Sequence, residues 1–106
     1  MTSYAVLWSE PGEPVRAGKL ELELEGLCFE GARGTRSARH VHRLAYEDID
    51  AVHVGRGPRE RLAGRPALVI DRFVGGPLRI GSVQGVGMLT ELAERLGHLT
   101  ATPLAL

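Results

Sequence analysis

The chain has 106 residues, with 13 basic side chains balanced by 13 acidic ones, so it is long enough for one core and too short for two. Zero net charge and a mean hydropathy of −0.05 exclude a global field toward nucleic acid or membrane, and no apolar run approaches the ~20 residues that span a bilayer. The lone Cys28 rules out an intrachain disulfide. The amino terminus lacks the basic-then-apolar pattern of a secretory leader, so a reduced, cytoplasmic setting is expected.

Residues 4–8, Tyr-Ala-Val-Leu-Trp, predict a first strand that ends at a loop containing Pro11, Gly12 and Pro14. From Gly18 to Gly31 leucine and glutamate alternate, which places Leu20, Leu22 and Leu24 on one face and Glu21, Glu23 and Glu25 on the other. The expected hairpin comprises strands 18–25 and 27–31 around a two-residue turn at Glu25-Gly26. Leu24 then lies opposite Leu27, and Leu22 opposite Phe29. Residues 31–39 are polar and aperiodic. Strands follow at 41–46 and 49–56, with a turn or bulge between Ile49 and Val52, which are three residues apart. A second polar loop over 55–65 carries Arg56, Arg59, Arg61 and Arg65. Strands at 66–74 and 78–83 form another hairpin around Gly75-Gly76-Pro77.

The period then changes. Val86, Leu89, Leu92, Ala93 and Leu96 recur at three and four, one stripe of a helix over 86–97. Arg95 suits its carboxyl end, and Gly97 is the expected stop. The fold class is therefore mainly β: a single domain over 1–106, with seven antiparallel strands in a barrel or two packed sheets, capped by one amphipathic helix.

This order resembles the pleckstrin-homology-like superfold, in particular its GRAM-like and bacterial members. The resemblance rests on Gly18-x-Leu20-x-Leu22 through Gly26-Leu27-x-Phe29, then Tyr46-x-x-Ile49-x-x-Val52, Leu68-x-Ile70, Leu78-x-Ile80 and the helix from Val86 to Gly97. It implies a module that binds lipid, peptide or protein, or a scaffold, and leaves the choice open. Inositide-binding members use bases on the first interstrand loop. Here that loop carries Glu10 and Glu13, with Arg16 its only base, and carboxylates repel a polyphosphate.

The candidate binding residues are Arg33, Arg36, Arg39, His40 and Arg43, which lie within eleven residues without an acid among them. They could meet an acidic lipid, a phosphate or an acidic peptide; the plainer reading is a solvated loop. Trp8 is a further candidate, a core residue by type and an interaction hot spot if half exposed. His40 and His42 share a strand face, and with His53 they suggest a metal-dependent enzyme only as the weakest alternative. No nucleophile sits in a catalytic context and no cofactor motif is present. The leading expectation is a non-catalytic interaction module that binds a protein partner or itself, with peripheral binding to an acidic surface as the alternative and nucleic acid disfavoured.

Overall fold

The computed structural model describes residues 2–32, 39–83 and 85–100. Among them are β1 (Thr2–Ser9), β2 (Arg16–Leu22), β3 (Gly26–Ala32), β4 (His40–Ala45), a 3-10 turn (Tyr46–Asp48), β5 (Ile49–Gly55), β6 (Ala67–Arg72), β7 (Leu78–Ser82) and α1 (Val86–Thr100). All seven strands join one antiparallel sheet in the order β4-β3-β2-β1-β7-β6-β5. The sheet curls into a half-barrel that is open between β4 and β5. Mainly-β architecture with a carboxyl-terminal helix is thus what the chain adopts.

The leucine–glutamate alternation does form the β2–β3 hairpin, but in a register two residues away from the expected one. Leu20 faces Phe29 and Leu22 faces Leu27. The Glu23 amide donates to the Gly26 carbonyl at 2.8 Å, so the turn residues are Leu24 and Glu25, and Leu24 is 93% exposed. Gly26 is not a turn residue with positive φ. It opens β3, where a Cβ would meet the Leu44 carbonyl and come 2.9 Å from Ala45 Cα on β4. Close approach of two backbones, rather than turn geometry, demands glycine there.

Paired residues share a face, so three inward rows can be followed across the sheet. Tyr4, Leu20, Phe29 and His42 make one row, and Val6, Gly18, Gly31 and His40 make the next. On the other half, Trp8, Ile80, Leu68 and Val54 are aligned. These rows bury Tyr4, Val6, Trp8, Leu20, Phe29, Leu68 and Ile80, and neighbouring rows add Leu27, Leu44, Ile70 and Leu78 to the same core. The irregularity expected near Ile49 is present as a register shift between Ile49 and Ala51. Phe73 and Val74, which the alternation assigned to the sixth strand, lie in the β6–β7 turn and are exposed.

The helix packs on β5, β6, β7 and the 3-10 turn. Leu89, Leu92 and Leu96 are fully inside, as their spacing demands, and the Tyr4 hydroxyl donates to Glu91 at 3.1 Å. The Val86 side chain lies outside those described. α1 continues past Gly97 to Thr100, so Gly97 is a helical residue and not the stop. No helix among the described residues is long and apolar enough to cross a membrane.

Candidate functional site

One end of the half-barrel gathers a polar cluster that depends on two glycines. In the row Val6–Gly18–Gly31–His40, the middle two positions have no side chain. A Cβ on Gly31 would come 2.6 Å from Phe29 Cζ, and one on Gly18 would come 2.5 Å from Gly31 Cα. The space they leave lets the Trp8 and Phe29 rings stack, with centroids 4.8 Å apart and planes within 8°. Trp8 is wholly buried. It is therefore a core residue and not a half-exposed hot spot.

Glu10 follows β1 with the same inward parity as Trp8. Its carboxylate accepts from Trp8 Nε1 at 3.1 Å, lies 2.5 Å from His40 Nε2 and lies 3.1 Å from His42 Nδ1. His42 also touches the Trp8 ring at 5.4 Å between centroids. All three polar side chains are largely shielded, with exposures of 16% for Glu10, 29% for His40 and 20% for His42. Burial alone would raise the Glu10 carboxyl, but hydrogen bonds from Trp8 and His40 and the charges of His42 and His40 outweigh it. The group is held below its ordinary value. One ligand atom from each of Glu10, His40 and His42 lies within 4.8 Å of the others.

Chemically, this cluster can share protons or hold a cation. Neither Ser9 nor Cys28 supplies it with a nucleophile. Ser9 points to the outer face, where its Oγ accepts from Arg79 at 3.2 Å. Cys28 is also on the outer face, between Glu21 and Arg43 in register, and burial pushes its thiol up.

The other candidates are dispersed. Arg39 is exposed and pairs with Glu30 at 2.9 Å, and Arg43 pairs with Glu23 at 2.9 Å. His40 turns inward to Glu10, away from these arginines. Arg33 and Arg36 lie outside the described residues. His53, on β5, meets Glu60 at 2.9 Å and Asp71 at 3.9 Å, so the partner that joins His40 and His42 is Glu10 and not His53. Sequence reasoning missed Glu10 because it read the first loop only as acidic. Its signal was parity: Glu10 is two residues beyond Trp8, on the face of the core. Arg16 stands opposite Trp8. Its Nη2 meets Glu13 at 3.5 Å, and its Nη1 is buried without a hydrogen-bond partner among the described residues.

No family model matches the chain, and no curated protein matches it. Among solved structures, it is similar to the crystal structure of the C-terminal domain of an unknown protein from Leishmania infantum. That likeness has a TM-score of 0.64 at 14% identity and covers 91% of this chain and 82% of the other. At such identity it concerns the fold alone.

Proposed function

We propose that this chain is a pleckstrin-homology-like module without catalytic activity, which binds a protein partner or a second copy of itself by strand addition at β4. The observation that carries this reading is the asymmetry of the two sheet ends. α1 packs against β5 and shadows that end. β4 is the opposite terminal strand and, among the described residues, has no helix packed along it. An edge strand with free amides and carbonyls is a template for another strand. The sequence of β4, His-Val-His-Arg-Leu-Ala, contains no proline to block pairing, and Val41 on its outer side is 50% exposed. The element order, seven antiparallel strands followed by one carboxyl-terminal helix, supports the superfold assignment.

Peripheral anion binding has weaker support. Arg39 and Arg43 already face Glu30 and Glu23, whose carboxylates offset the positive potential an anion would meet.

Hydrogen exchange read by mass spectrometry tests the proposal, in parallel with light scattering over a concentration series. The expected result is association accompanied by slowed exchange in residues 40–45, with both reversed by Val41→Glu while circular dichroism is unchanged. A chain that stays monomeric throughout and recovers no protein partner through β4 overturns the reading.

A further inference from the structure

We propose that Glu10, His40 and His42 form a binding site for a divalent transition-metal ion of the zinc type, with two imidazole nitrogens and one carboxylate oxygen as ligands. Zinc takes these donors at about 2.0–2.2 Å in a tetrahedral arrangement. Three ligand atoms mutually within 4.8 Å need only small side-chain shifts to reach the ~3.4 Å spacing of tetrahedral ligands around such an ion, with the fourth position left to water. An imidazole-rich set suits zinc, copper or nickel rather than magnesium or calcium, which prefer all-oxygen shells.

The cluster differs from a chance meeting of surface side chains. His40 and His42 project inward from a regular strand, two residues apart, so the pleat itself aims both rings at one place. Glu10 is oriented by the Trp8 indole N–H at 3.1 Å, and Trp8 is locked by its stack on Phe29. An outer donor that fixes a ligating carboxylate is a common feature of metal sites. Gly18 and Gly31 keep the intervening row free of side chains, so β1 and β4 can both reach the site across two strands. The nitrogens that would ligate are those now facing the carboxylate, His40 Nε2 and His42 Nδ1. Uptake of the ion therefore replaces protons: hydrogens held between these nitrogens and Glu10 leave to solvent as the ion enters, and acid opposes binding. Arg39 and Arg43 face Glu30 and Glu23 and stand apart from the cluster. Arg16 engages Glu13.

The site is tested by calorimetric titration of the chelator-treated full chain with Zn2+ at neutral pH, by visible spectra with Co2+, and by NMR of the histidine ring nitrogens. One ion per chain and a tetrahedral cobalt spectrum are expected. The ring shifts should mark His40 Nε2 and His42 Nδ1 as coordinated while leaving His53 and His98 unmoved. Glu10→Gln, His40→Gln and His42→Gln should each weaken zinc by about tenfold or more, and His53→Gln should not. Absence of stoichiometric binding, shifts on His53 or His98 instead, or undiminished affinity in the His40→Gln/His42→Gln double variant overturns the assignment. Should a variant fail to fold, the ring shifts of the unaltered chain decide the matter alone.

Discussion

At Glu10, burial and hydrogen bonding act in opposite directions, and the bonds from Trp8 and His40 prevail. The folded chain therefore holds this proton less tightly than the unfolded chain does. A carboxyl with a depressed folded value contributes stability that is fully present above the ordinary range and is lost as pH falls through the depressed value. The urea midpoint should therefore decline on acidification below the ordinary value of 4.5. Glu10→Gln, which cannot titrate, should flatten that part of the profile; an unchanged acid limb in the variant would refute the linkage. Gly31 makes a different residue-scale case. Adding one methyl group puts a Cβ against the Ala17 carbonyl and 2.6 Å from Phe29 Cζ, and overpacking of this kind costs about 1–3 kcal/mol. Gly31→Ala should lose that much in chemical denaturation. The sequence marked Gly31 only as the end of a strand, since a close approach between backbones leaves no trace in composition.

The hairpin and the helix show which parts of an element a pattern can reveal. Alternation places Leu20, Leu22, Leu27 and Phe29 on one face whether the turn is at residues 25–26 or 24–25, because a register shift of two preserves parity. The face was therefore legible and the register was not. What selects the register is tertiary: Gly26 must lie against β4, and Leu24 gives up burial to permit it. In α1 the stripe of Leu89, Leu92 and Leu96 was read correctly from its period, while the end was misjudged. Gly97 has an ordinary helical conformation, since it is absent from the glycines with positive φ, and nothing lies within 4 Å of a Cβ built on it. With no clash to offset the gain in helix propensity, Gly97→Ala should stabilise the chain by about 0.5–1 kcal/mol. A thermal melt tests this, and a lowered midpoint would show that the helix end needs glycine after all.

For the molecule as a whole, strand number, antiparallel pairing and the final helix were accessible from spacing alone. The sheet's opening between β4 and β5 and the polar cluster of Glu10, His40 and His42 were not, because both depend on contacts between distant segments. His40 and Glu10 are 30 residues apart, and nothing local links them. The same holds for the second arginine-rich loop, residues 56–66, which composition presents as solvated. Arg79, on β7, donates to the carbonyls of Arg61 at 3.0 Å and Arg59 at 3.5 Å, and to Ser9 Oγ at 3.2 Å. Leu62 is buried, 3.2 Å from where a Cβ on Gly81 would lie. One side chain thus fastens the loop to the outer wall of β1 and β7. The consequence concerns proteolysis. Trypsin meets three cleavable arginines in this segment, since Pro66 protects the bond after Arg65, yet cleavage needs several residues to detach together into an extended form. The native chain should resist nicking at Arg56, Arg59 and Arg61, and Arg79→Met should release the loop and speed cleavage there several-fold, as followed by mass spectrometry of the fragments. Equal cutting rates in the two proteins would mean that Leu62 alone, and not the guanidinium, guards these bonds.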